Sequence, residues 1–242
     1  MKLQVKNVCV TFENKRILEN LCMDVKDGEF VALIGPSGCG KSTLLNILAG
    51  VLEPECGEVY VDGEKVRGVS SRFAYMPQSD LLLPWKTILD NVTLYGRLHG
   101  QLKQAREAAR KEIPVFGLQG YEDAYPDELS GGMRQRAAFL RTALCSADIM
   151  LLDEPFGALD VITRNEMQDW LLRLRSELGR TTLLVTHDID EALYLADRIV
   201  VLGGQPASVT RVIDLTGMVK SRDWLYEQTE LRKEIHRILK NG

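Results

Sequence analysis

Apolar and polar side chains alternate through LQVKNVCVTF, residues 3–12, and again through ILENLCMDV, residues 17–25. A period of two sends every second side chain to one face, so both segments predict half-buried antiparallel strands. FVALI, residues 30–34, has no polar position, which predicts a strand buried on both faces that runs directly into Gly35. STLLNILAG reads as a helix closed by Gly50, and GEVYVDG and RFAYM read as two more strands.

From Thr87 to about Ser146 the pattern becomes helical. TILDNVTLYGRLHG opens on a Thr-x-x-Asp cap, and QLKQAREAARKEI is rich in strong helix formers. Pro114 should end that second helix at Ile113, because proline removes a donor and clashes one turn back. Beyond the block, IMLLDE, TTLLVTH and RIVVL are short apolar strands that alternate with helices at residues 161–178 and 188–196, which predicts a parallel α/β sheet. SRDWLYEQTELRKEIHRIL reads as one amphipathic helix that packs on the core through Trp224, Leu231, Ile235 and Leu239. The expected organisation is a single domain over residues 1–242. Residues 1–86 and 147–220 form its core, 87–146 a helical insert and 221–242 a terminal helix.

Composition narrows the classes. Hydrophobic residues make up 45% and charged residues 26%, with a net charge of −4, so no basic footprint for nucleic acid is present. The five cysteines are scattered and never in CxxC spacing, which predicts neither a disulfide framework nor a zinc site and fits a reducing compartment. No apolar run reaches the ~20 residues that cross a bilayer.

Chemistry enters at GPSGCGKST, residues 35–43, which matches G-x-x-x-x-G-K-[ST] between a buried strand and a helix start. The Gly35, Pro36, Ser37, Gly38, Cys39 and Gly40 backbone can curl around phosphates. Lys41 places a positive charge on them, Thr43 closes the motif, and the Ser42 hydroxyl can ligate Mg²⁺. The chain is therefore expected to bind a nucleoside triphosphate. IMLLDEP supplies Asp153 for the metal and then Glu154 as a candidate base for an attacking water. His187, ending LLVTH, can donate to a γ phosphate, and Gln78, after RFAYM, can touch both metal and water. ELSGGMRQR, residues 128–136, places Ser130, Gly131 and Gly132 at the start of a run of helix formers, a second anion cradle.

With these motifs in this order, the sequence resembles the nucleotide-binding subunit of an ABC transporter over nearly its whole length. The resemblance covers the loop at residues 35–43, Gln78, the signature at residues 129–133, the strand ending in Asp153 and Glu154, the GALD turn ending at Asp160, and His187. It implies an α/β P-loop NTPase core with an antiparallel β subdomain and an α-helical insert, using ATP and Mg²⁺. It also implies adenine stacking on Phe12, with Ser130, Gly131, Gly132 and Asp160 acting at the nucleotide and Glu154, His187, Lys41 and Gln78 carrying the chemistry. Met133 stands where glutamine is usual, and Gly157 where serine is commoner.

LLLPWKTILDNV is similar to the corresponding segment of importers for nitrate, sulfonates and taurine, a group that includes systems for thiamine precursors. That likeness implies an exposed patch at Leu82, Leu83, Pro84 and Trp85 against a permease. It further implies an ATP-closed homodimer, an integral-membrane permease, a periplasmic or lipoprotein solute-binding protein, and a place on the cytoplasmic face of the membrane. Soluble cassette ATPases of DNA repair or translation, and exporter ATPases, are the alternatives.

Overall fold

A computed structural model describes residues 1–241. β1 (Leu3–Phe12) and β2 (Lys15–Val25) pair antiparallel, and β1 also pairs with β4 (Cys56–Val61), which carries the short β5 (Glu64–Val66). This four-stranded sheet lies beside a six-stranded one, joined to it at an isolated bridge between Leu18 and Ala207. The larger sheet contains β3 (Phe30–Ile34), β6 (Phe73–Met76), β7 (Ile149–Asp153), β8 (Thr181–Val185), β9 (Arg198–Gly203) and β10 (Ser208–Asp214). Its order is β10-β9-β3-β8-β7-β6, parallel throughout except for β10.

The apolar strands serve two cores at once. In β3, Phe30, Ala32 and Ile34 face one cluster while Val31 and Leu33 face the other. The second cluster holds the antiparallel sheet and α1 (Lys41–Leu48) against the parallel sheet. The first holds residues of α2 (Ile88–Val92), α4 (Leu102–Glu112) and α5 (Gly131–Ala143), together with α6 (Val161–Leu178) and α7 (Ile189–Leu195), while α3 (Leu94–Leu98) packs on α4. Within it, Phe116, Phe139, Phe156 and Trp170 meet edge to face, with centroids 4.7 to 5.8 Å apart, an arrangement that their ring quadrupoles favour.

Local signals held where physics left no choice. The Thr87 hydroxyl accepts from the Asp90 N–H and caps α2, and α4 stops with Ile113 as its cap before Pro114. Three expectations are corrected. The terminal segment is two helices, α8 (Arg222–Glu227) and α9 (Thr229–Asn241), because a break at Gln228 lets both Leu225 and Ile235 reach the core. Cys9 and Cys56 are joined: they face each other across β1 and β4, with Cα atoms 5.1 Å apart, at a chain separation of 47 that spacing rules do not see. Leu82 is buried in the first core cluster rather than exposed, whereas Trp85 is 71% exposed.

Candidate functional site

The parallel strand order β3-β8-β7-β6 fixes which side chains can meet. β3 ends in the Gly-rich loop, β8 leads to His187, β7 ends at Asp153 and Glu154, and β6 leads to Gln78. Four consecutive carboxyl ends of one sheet therefore carry the motif residues, the edge where α/β folds place their ligands.

In the loop, Gly38 and Gly40 have positive φ, and Gly40 at φ 104 is the N-cap of α1. A Cβ on Gly40 would lie 2.7 Å from Leu18 Cδ2 and 2.9 Å from Ile17 Cγ2, so only glycine lets β2 approach the loop. The same closeness sets the β1–β2 hairpin, with Phe12 exposed at its tip, on the loop's flank. A Cβ on Gly35 would likewise meet the Leu202 carbonyl at 2.7 Å. Lys41 is buried, and its ammonium donates to the carbonyls of Gly35 at 2.8 Å and Pro36 at 2.9 Å. Burial pushes the Cys39 thiol up, partly offset by Lys41.

At the end of β7, Asp153 is 2% exposed and its Oδ1 has no hydrogen-bond partner. Burial raises its carboxyl above the ordinary value and the Glu154 charge adds to this, while a Ser42 hydrogen bond and Lys41 work the other way. An orphaned, buried carboxylate oxygen beside a hydroxyl is what a hard divalent cation would satisfy. The donor set of Asp153, Ser42 and the Gln78 amide is all oxygen, so these residues fit Mg²⁺.

Glu154 is the centre of the arrangement. Its φ of 49° lies in the left-handed region, which a non-glycine residue occupies at a cost of about 1 to 3 kcal/mol. The turn is pinned by its own N–H donating to the Val185 carbonyl at 2.9 Å, and by the Gly157 N–H donating to its carbonyl at 3.2 Å. The carboxylate thereby faces both neighbouring strand ends. Gln78 Nε2 donates to Glu154 Oε2 at 3.3 Å, and His187 Nδ1 lies 3.3 Å from the same oxygen. The structure thus brings together Gln78, Glu154 and His187.

Ser130, Gly131 and Gly132 form a separate group. The Ser130 hydroxyl caps α5 by accepting from the Met133 N–H at 3.3 Å. Gly132 packs on the 157–160 turn, where a Cβ would lie 3.5 Å from the Ala158 carbonyl. No hydrogen bond joins Ser130, Gly131 or Gly132 to the loop at residues 35–43 among the described residues. Asp160 caps α6, accepting from the N–H groups of Ile162 and Thr163 at 3.1 Å each, and the Thr163 hydrogen bonds hold its carboxyl below the usual range.

Sequence reasoning missed the residues behind His187. The Thr186 hydroxyl donates to Glu191 at 2.7 Å and accepts from the Asp188 N–H at 3.0 Å, while Arg164 approaches both Glu191 and Asp188. The only available signal was the i, i+3 spacing of Asp188 and Glu191, an ordinary helix-start pattern. Also missed were Arg134 and Arg141 of α5. Arg134 donates to Asp80 Oδ2 at 3.2 Å, and Arg141 to the Asp80 and Leu81 carbonyls at 2.6 and 2.7 Å.

Comparison with known proteins agrees with this geometry. A family model described as ABC transporter matches residues 18–157. An uncharacterized ABC transporter ATP-binding protein of Methanocaldococcus jannaschii is 43% identical over 247 residues, covering 100% of this chain and 92% of its own. The aliphatic sulfonates import ATP-binding protein SsuB 1 of Xanthomonas axonopodis pv. citri is 43% identical over 224 residues, covering 92% of this chain and 88% of its own. The corresponding SsuB of Bacillus cereus is 41% identical over 199 residues, 82% of this chain and 78% of its own. Among solved structures, a dimeric ATP-binding cassette in a post-hydrolysis state with ADP and Pi superposes with a TM-score of 0.79 at 32% identity, over 89% of this chain and 100% of that one.

Proposed function

The chain belongs to the ABC transporter ATP-binding family, and from that premise we propose that this ATPase powers an importer as a homodimer docked on a separate membrane permease. Its solute belongs to the sulfonate, nitrate and taurine group or to the thiamine precursors, and a periplasmic or lipoprotein solute-binding protein delivers it. The importers named among the relatives carry aliphatic sulfonates. One observation supports the reading most: Gln78 and His187 converge on one carboxylate oxygen of Glu154, at the sheet edge that also carries the Gly-rich loop. We assign residues 1–86 and 147–220 to the ATPase core, 87–146 to the helical subdomain and 221–242 to the C-terminal helices.

ATP lies with its adenine against Phe12, where stacking on a ring is worth roughly 1 to 3 kcal/mol. Its phosphates lie on the N–H groups of residues 35–43, with Lys41 turning from the loop carbonyls to the β and γ phosphates. Ser42, Gln78 and Asp153 would hold Mg²⁺, which supplies charge neutralisation on the phosphate oxygens. Glu154 takes the proton from the attacking water, while His187 donates to the γ phosphate. Little covalent work is left to the protein, so positioning and charge carry the reaction.

Ser130, Gly131, Gly132 and Asp160 act on the ATP held by the second subunit. A helix N-terminus facing an anion is favourable by about 0.3 to 2 kcal/mol, and this attraction arises only when two chains close head to tail, so ATP drives dimerisation. The test places Glu154→Gln in every chain and mixes a Lys41→Ala form with a Ser130→Arg form. In a mixed dimer one site collects both lesions and the other is whole, so the mixture traps labelled ATP that neither form traps alone. If exchange into mixed dimers is demonstrated and trapping is not restored, the shared-site reading fails.

A further inference from the structure

Behind His187 lies a small cavity of about 40 Å³, lined among others by Glu154, Arg164, Thr186, His187 and Glu191. Three of its wall residues form a chain of contacts with no part in the chemistry assigned above. Glu191, 6% exposed, accepts the hydroxyl hydrogen of buried Thr186 at 2.7 Å, and that hydroxyl accepts from the Asp188 N–H at 3.0 Å. Thr186 and Asp188 are the two neighbours of His187. The carboxylate of Glu191 therefore fixes the turn that carries the imidazole without touching it.

The far end of the chain is Arg164. Its Nη2 donates to the Leu159 carbonyl at 3.0 Å, immediately before Asp160. Its other nitrogens reach Asp188 Oδ2 at 3.8 Å and Glu191 Oε1 at 3.9 Å, distances of ion pairing rather than hydrogen bonding. Arg164 Nε is buried with no hydrogen-bond partner, so the guanidinium is held short of full satisfaction by both neighbours. A charge so placed is sensitive to small movements of either turn, since buried polar groups gain or lose whole hydrogen bonds over such distances.

We propose that Arg164 and Glu191 are positioning residues for hydrolysis. Together they form a relay through which the 157–160 turn, packed on Gly132 at the start of α5, sets the position of His187. The relay rests on the reading of His187 as a γ-phosphate contact. Closure of the second subunit on the Ser130 cradle moves the 157–160 turn, Arg164 closes on Glu191 and Asp188, and the His187 turn is locked. Turnover then follows closure rather than nucleotide binding alone.

The test compares the full-length dimeric ATPase with Glu191→Gln, Thr186→Val, Arg164→Met, the Arg164→Met/Glu191→Gln double variant and His187→Ala. Steady-state kcat, KM for ATP and melting temperature are measured for each. Glu191→Gln and Thr186→Val should lower kcat about tenfold with KM unchanged, because misplacing a catalytic group affects the chemical step and not the binding of ATP. Arg164→Met should do the same, and the double variant should lose no more than either single one, while melting temperatures change independently. A kcat at the parental level in Glu191→Gln and Thr186→Val, with His187→Ala inactive, overturns the relay and leaves the site intact. Fully multiplicative losses in the double variant overturn it too. Parental turnover in His187→Ala sinks the site assignment itself, and the relay with it.

Discussion

Replacing Glu191 by glutamine should make the protein more stable at neutral pH even as it slows turnover. Burial, the largest influence, pushes the Glu191 carboxyl from an ordinary 4.5 to about 6, with Asp188 adding to the rise and Thr186, Arg164 and His187 opposing it. An acid raised in the folded state contributes its full stability only when protonated in both states, below pH 4.5. That contribution is lost as pH rises through about 6, and above it the buried charge leaves the fold weaker by about 2 kcal/mol. Glutamine keeps an acceptor for Thr186 and never ionises. Glu191→Gln should therefore gain up to about 2 kcal/mol at pH 7.5, or ~4 to 8 °C in melting temperature for a domain of this size, less what Arg164 loses with its partner. The gain should shrink to roughly 0.8 kcal/mol at pH 5, where the parent is largely protonated. Calorimetric melts of parent and variant from pH 5 to 8 measure both figures. A lowered melting temperature at pH 7.5, or a gain that does not fade toward pH 5, refutes the idea that burial of this charge destabilises the fold. Stability given up at a positioned charge is a common companion of activity.

Two further outcomes are expected. Glu154→Gln should keep ATP binding and ATP-driven dimerisation while phosphate release falls by about 10² to 10⁴, since the amide retains shape and loses basicity; release at the parental rate would remove Glu154 as the base. Trp85→Ala should leave the melting temperature of the isolated chain unchanged, because the side chain is 71% exposed, yet weaken copurification with the permease by roughly 2 kcal/mol or more if it is an anchor. An unchanged yield of complex would point the docking surface elsewhere.

The fold was legible where one residue type could serve only one purpose. FVALI, IMLLD and TTLLV are mostly apolar and buried at every position because alternate side chains feed two cores, and each became a strand at the expected place. β10 gave no such signal. It is an antiparallel edge strand, mostly exposed or half-buried, so its sequence SVTRVID needs no regular alternation. The break at Gln228 was invisible for a different reason: no glycine or proline marks it. Local side-chain donors take up the carbonyls at the end of α8 there, Gln228 donating to that of Trp224 at 3.0 Å and Arg232 to that of Leu225.

For the candidate site, the chain order of the motifs was readable but their spatial order was not. Along the chain, residue 78 comes first, then 154, then 187. In the sheet, β8, β7 and β6 are neighbours, so His187 and Gln78 flank Glu154 from opposite sides. Pairings across elements, such as Arg164 with Glu191 or Cys9 with Cys56, depend on that topology and leave no mark on local pattern.

The same topology explains why the helical insert can act on a reaction it does not carry out. Arg134 and Arg141 of α5 hold Asp80 and Leu81, so any shift of that helix reaches a point two residues beyond Gln78. Phe139 of α5 meets Phe156 edge to face at 5.7 Å, two residues beyond Glu154, and the Gln135 amide donates to the Pro155 carbonyl at 3.4 Å between them. Interiors at this density transmit displacement rather than absorb it. Trp85 lies exposed, outside these contacts, on the segment that follows Asp80. Ser130 begins the same helix. Under the roles proposed for Ser130 and Trp85, nucleotide and permease would therefore act on one helix and the segment it holds, whose contacts fall two residues beyond Gln78 and one and two residues beyond Glu154.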